Sequence, residues 1–208
     1  MTMLPSTASV AADPPFAVVA HVASEDAKAA RLWLRQQLAT ADRHFRRAGV
    51  SFAVVEERAL PASFRTVDDI PERIRLRRHL VSRVINIMLV DRALDPVPSE
   101  STRRAARRAG RSPYGELAGA HILSGTRRGQ PRVPATFILV VRDTSTVTLT
   151  HELGHFFWLS HHPNPSNIMS YGDTRGGFDD RQIKAIRFMA GRYRRGKVVR
   201  PAASSTST

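Results

Sequence analysis

The sequence predicts a mixed α/β domain with helices packed on a sheet. Short apolar runs at residues 16–22, 50–55, 84–90, 117–123 and 135–141 read as strands, and residues 24–48 carry apolar positions three and four apart, as a long helix does. Length agrees: 208 residues with 42% hydrophobic content can form one domain with a substantial core. We place that domain at 16–197, between a disordered N-terminal segment, 1–15, and a disordered tail, 198–208.

The elements follow in order. Phe16–Val22 is short and apolar after Pro14-Pro15, which suits a buried strand. Ser24 is the expected N-cap of the long helix, with Glu25 and Asp26 in its first turn. That helix presents Ala27, Ala30, Leu34, Leu38, Ala41, Phe45 and Ala48 on one face, and Gly49 is its natural stop. Arg31, Arg35, Arg43, Arg46 and Arg47 read as its solvated side. Val50–Val55 is a second strand. Residues 60–69 read as a connection, and 69–80 hold a short helix opened by Pro71.

Val84–Val90 is the third strand, with Asn86 a satisfied polar group inside it. Asp95-Pro96-Val97-Pro98 breaks the chain, and 99–112 form a charged connection. Residues 117–123 (LAGAHIL) are a short strand, in which the lone His121 reads as a partly buried structural residue. After a Gly-, Arg- and Pro-rich loop at 124–134, Ala135–Val141 is continuous and apolar, as an interior strand should be. Thr144 or Ser145 then caps an apolar helix that Pro163 and Pro165 must end. Asp179 with Gln182 opens a final helix as a capping box. Its apolar face is Ile183, Ile186, Met189, Ala190 and Tyr193, and Arg192, Arg194 and Arg195 complement its C-terminal dipole.

Composition excludes several chemistries. There is no cysteine, so disulfides, thiolate metal sites, thiol catalysis and cysteine-based latency are all absent. No apolar run reaches the 18 residues or so that span a bilayer, so no membrane partner is expected. Residues 1–15 lack the basic and apolar regions of a signal peptide. The net charge of +14 rests on 29 Arg and 3 Lys, clustered at 73–78, 103–108 and 192–197. Such charge attracts polyanions or acidic partners. With 7% aromatic residues and no interleaved motif, however, a nucleic-acid platform is not expected and a solvated surface is the simpler reading.

The chemistry concentrates in the apolar helix, at Thr150-His151-Glu152-Leu153-Gly154-His155. Positions i and i+4 of a helix share a face about 6 Å apart along the axis. His151 and His155 can therefore aim at one metal ion, and neutral imidazole is a normal zinc ligand. Glu152 stands beside that ion, where a carboxylate can take a proton from water. A third ligand is open to His161, His162 or one of Asp173, Asp179 and Asp180. A downstream Glu is excluded, since none follows Glu152. A straight helix would carry His162 about 10.5 Å beyond His155, so the chain must turn after the helix for either histidine to return.

From residue 151 to 171 the sequence resembles the metzincin clan of zinc endopeptidases, which carry His-Glu-x-x-His-x-x-Gly-x-x-His and then a methionine-containing turn. The order of the other elements extends the resemblance loosely over 16–195. It implies that His151, His155 and His161 hold one zinc ion, that Glu152 is the general base, and that Met169 is the turn methionine. Tyr171 falls where some branches place a tyrosine near the metal to stabilise the transition state. The family's glycine position is occupied by Trp158. A left-handed conformation there would cost a non-glycine residue about 1–2 kcal/mol.

The resemblance also implies a mostly parallel, twisted sheet whose antiparallel edge strand lines the cleft. We assign that strand to Leu117, Ala118, Gly119, Ala120, His121, Ile122 and Leu123. An exposed edge can bind an extended peptide by strand addition. The function implied is a zinc-dependent endopeptidase acting on peptides or proteins, and the family's habit is secretion. Two rivals stand beside it: an Arg-rich protein that binds nucleic acid or an acidic partner, and a metzincin-like domain made inactive by Trp158.

Overall fold

The computed structural model describes residues 13–94, 117–122, 136–171 and 175–202. Strand β1 (Phe16–Ala23) leads into helix α1 (Ala27–Phe45), which tightens into a 3₁₀ turn over Arg46–Ala48. There follow β2 (Phe52–Ala59), β3 (Thr66–Val67), α2 (Ile70–Leu76), β4 (Ile85–Val90), β5 (Arg92–Ala93), β6 (Gly119–Ile122), β7 (Phe137–Val141), α3 (Thr148–Phe156) and α4 (Asp180–Arg195). The main sheet has the order β2-β1-β4-β7-β6. Its β2/β1, β1/β4 and β4/β7 pairs are parallel, and β6 adds antiparallel at the edge. A two-stranded parallel ribbon, β3-β5, lies apart from it.

Period-two alternation divides the core. Val18, Ala20 and Val22 of β1, Ile87 and Leu89 of β4, and Ile138 and Val140 of β7 face one side. There they meet Leu34, Leu38 and Phe45 of α1, Leu149 and Leu153 of α3, and Ile183 and Ile186 of α4. Met88, Val90, Phe137 and Leu139 face the other side, against Leu60, Phe64, Val67 and Leu76. Strands buried on both faces are near-continuously apolar, as β4 is. Asn86 is satisfied within it: its Oδ1 accepts from the Val81 N–H at 2.9 Å and lies 3.0 Å from His21 Nε2, and its amide donates to the Val81 and Val84 carbonyls.

Several boundaries differ from the sequence reading. The N-cap of α1 is Asp26, whose carboxylate accepts from the Ala29 N–H, while Ser24 bonds Asp91 instead. The second strand runs 52–59 rather than 50–55. Val50 is buried by the exit from α1, and β2 continues through charged residues because it is a half-exposed edge. Residues 60–69 are more than a connection, since they include a 3₁₀ turn and β3. The segment expected to be tail from 198 onward is packed through Ala202: Val199 and Ala202 are buried, and Ala202 N–H donates to the Pro15 carbonyl. Leu123, the 99–112 connection, Asp173 and the 103–108 basic cluster lie outside the described residues.

Candidate metal centre

Helix α3 carries His151, Glu152 and His155, and its start is held from a distance. Neither Thr144 nor Ser145 caps it; Val147 occupies the cap position without a side-chain bond. Gln37 of α1 does the work instead. Its carbonyl accepts from the Leu149 N–H at 3.3 Å, and its amide donates to the Ser145 carbonyl at 3.2 Å. Gln37 is buried on the apolar stripe between Leu34 and Leu38. A buried amide on such a stripe needs a partner, and that was the available signal.

The exit from α3 is as specific as its start. Trp158 adopts φ +65°, the left-handed region. Its N–H donates to the His155 carbonyl at 2.8 Å, and the Leu159 N–H donates to the Gly154 carbonyl at 3.0 Å. These two bonds make a Schellman motif, the helix ending that ordinarily calls for glycine. The turn folds the Leu159 carbonyl back to 2.8 Å from His155 Nδ1 and returns His161 to the helix. Trp158 is itself tied down. Its indole N–H donates to the Tyr193 hydroxyl, which donates to the Phe156 carbonyl, each at 2.8 Å.

The segment after the turn is organised by Asn167. Its carbonyl accepts from the Met169 N–H at 2.8 Å, and its amide is paired in both directions with Gln182 of α4, at 2.8 and 3.1 Å. This pair presents the Ile168 carbonyl to His151 Nδ1 at 2.8 Å. Met169 is wholly buried against Gly154, where a Cβ would collide with its sulfur.

The structure thereby brings together His151, His155 and His161, with one ligand atom of each within 4.8 Å of the others. His155 Nε2 lies 3.1 Å from both His151 Nε2 and His161 Nε2. His151 and His155 face carbonyl oxygens through Nδ1, so Nδ1 carries the proton and each Nε2 is a bare lone pair. Such lone pairs repel one another unless a cation lies among them, so the donor set fits a metal ion of the zinc class. Burial lowers the pKa of all three rings and takes His151 to about 4, which keeps the imidazoles in the neutral, ligating form. His162 is not part of the cluster; its Nε2 lies 3.6 Å from Asp179 Oδ2.

Glu152 is buried beside the triad. Burial pushes its carboxyl up to about 7, opposed by the His121 backbone N–H and by Arg175. Tyr171 is 77% exposed, and its hydroxyl is 3.1 Å from His161 Nδ1. Among the described residues the edge strand is Gly119–Ile122, starting two residues later than the sequence suggested, and it packs on α3. His121 is half-buried, as expected, but it stands over the site: its ring lies 6.1 Å from Phe156, and burial followed by the charge of His155 lowers its pKa to about 4. The roles of Gln37, Asn167 and Arg175 escaped the sequence reading.

No family model matches the chain, and no curated protein matches it in sequence. Among solved structures, it is similar to archaemetzincin from Methanopyrus kandleri, with a TM-score of 0.55 and 14% identity over 85% of this chain and 96% of that one. The fold is therefore metzincin-like, with the mixed α/β layering that the sequence predicts and the mostly parallel sheet and antiparallel edge that the resemblance implies.

Proposed function

We propose that the chain is a zinc-dependent endopeptidase. The observation that carries this is the convergence of three Nε2 lone pairs beside a buried carboxylate. His151, His155 and His161 would hold one zinc ion. When bound, zinc supplies Lewis acidity and makes water reactive near neutral pH. Glu152 accepts the proton of the attacking water on its carboxylate and passes it to the leaving amine. A carboxyl titrating near 7 is suited to both transfers. The Ile168 and Leu159 carbonyls fix two of the imidazoles, and the Tyr171 hydroxyl, accepting from His161 Nδ1, orients the third. Tyr171 is also exposed enough to reach a bound peptide. Met169 forms the floor under α3, in the manner of the family's turn methionine. Strand β6 offers its edge to an extended substrate. The archaemetzincin fold supports the same reading.

The test compares wild type with Glu152→Ala on a diverse peptide mixture with zinc, read by mass spectrometry. Cuts should come from the wild type alone, while both proteins retain zinc. Equal cutting by the variant would remove Glu152 from the mechanism.

A further inference from the structure

Beside the triad, but not including it, lies a groove of about 1220 Å³. Its apolar wall is Phe156, Trp158, Met189 and Tyr193, contributed by the end of α3 and the last turns of α4. Arg83, Arg192 and Arg195 also line it, all exposed, and no acidic residue is among its described lining. His121 of β6 joins the groove to the site, because it lines the one and stands over α3 in the other.

The backbone around this groove is strained. Four described non-glycine residues have positive φ: Arg83, Asp143, Trp158 and Lys197. Arg83 and Trp158 line the groove, and Lys197 sits between its lining residues Gly196 and Val198. The Arg83 guanidinium also donates to the Lys197 carbonyl at 3.2 Å, joining two of these positions. Such strain costs of order 1–3 kcal/mol per residue and gathers where function needs it. Trp158 adds a second anomaly: a large indole, 62% exposed, at the position where its own φ favours glycine.

We propose that the groove selects the substrate, taking a large apolar side chain flanked by carboxylates from the peptide on the N-terminal side of the scissile bond. This rests on the endopeptidase reading above. Strand β6 starts at Gly119, against Thr148 and Glu152, and runs toward His121 at the groove. A peptide paired antiparallel with β6 therefore lays its N-terminal part over the groove. There the indole and phenol give an apolar platform, and the three guanidinium groups match peptide carboxylates. The other basic clusters add a general attraction; the groove adds position.

The experiment uses dye-labelled short peptides that share one sequence except for the block before the cut: Glu-Phe-Glu, Lys-Phe-Lys or Glu-Gly-Glu. Binding is read by fluorescence anisotropy on zinc-loaded Glu152→Ala protein, and cleavage is read on wild type. Glu-Phe-Glu should bind about tenfold tighter than either other peptide, a difference of about 1.4 kcal/mol. Arg192→Glu with Arg195→Glu should abolish the preference over Lys-Phe-Lys, and the milder Arg192→Gln with Arg195→Gln should reduce it. Arg43→Glu with Arg46→Glu, the same charge change outside the groove lining, should leave it within about twofold. Equal loss in both Glu pairs, or no preference at all, overturns the groove. Cleavage without preference keeps the peptidase and ends the groove proposal; preference without cleavage keeps the groove and ends the peptidase reading.

Discussion

Helices α1 and α3 end by the same route with different residues. At the end of α1, Gly49 sits at φ +69°, its N–H donates to the Arg46 carbonyl, and the Val50 N–H donates to the Phe45 carbonyl. At the end of α3, Trp158 sits at φ +65°, with the matching pair of bonds to His155 and Gly154. Each exit buries the next apolar residue, Val50 or Leu159. Glycine adopts this conformation at no steric cost. Trp158 does not, and its own side chain is fastened, through Tyr193 to the Phe156 carbonyl, whereas the α1 exit is held through its backbone, the Arg47 carbonyl accepting from Arg187 of α4. The α1 exit starts a strand. The α3 exit must deliver two things to a fixed point: a carbonyl to His155 and the ring of His161. The backbone geometry is common to both exits and the residue supplying it differs; at Trp158 the bonds through Tyr193 offset part of the strain.

The largest expected effect tests what the α3 exit is for. His161→Ala should weaken zinc at least a hundredfold, measured by competition with a chelator, because it removes one of the three proposed ligands. His162→Ala should change it little, since His162 faces Asp179. The reverse result would mean that the exit delivers the wrong histidine. Next is the glycine exit. Gly49→Ala has room, with nothing within 4 Å of a new Cβ, so its whole cost is conformational. Urea unfolding should show a loss of about 1–2 kcal/mol with zinc affinity unchanged. A loss near zero would show that this turn tolerates side chains freely, and Trp158 would then need no clamp. Smaller again, Tyr193→Phe removes only the hydroxyl between Trp158 and the Phe156 carbonyl. The expected loss is about 1 kcal/mol, two hydrogen bonds at about 0.5 kcal/mol each, the low end of the range because both are partly open to water.

Much of this was legible in the sequence because it is local. Apolar spacing located α1 and α4, continuous runs located β1, β4 and β7, and helix rise required a turn after the motif helix, which the family's glycine position put at Trp158. The residues singled out at 151, 155 and 161 are the ones the structure gathers. What could not be read depends on partners far along the chain. Gln37 caps a helix 112 residues away, and Asn167 pairs with Gln182 across a turn. Apolar periodicity reports that a side chain is buried and does not report against what. Val50 shows the same limit: its burial serves a helix ending, so it was counted into the following strand. The groove draws on residues from Leu80 to Val199, and no window of sequence contains it.

The smallest expected effect divides the clamp from the strain. Trp158→Gly restores the residue that the backbone angle favours and should recover about 1–2 kcal/mol of left-handed strain. It also removes the indole hydrogen bond to Tyr193, worth about 0.5 kcal/mol, and adds freedom to the unfolded chain, which costs a further 0.4–1 kcal/mol or so. The Trp158 ring is 62% exposed, so little apolar burial is lost with it. The terms nearly cancel, and stability should stay within about 1 kcal/mol of wild type. Zinc affinity then becomes the informative reading. If it holds within about threefold, the left-handed angle alone places His161, and the indole is free to serve the groove. If it falls tenfold or more at unchanged stability, the clamp through Tyr193 positions the third histidine, and the two helix exits differ in function as well as in residue.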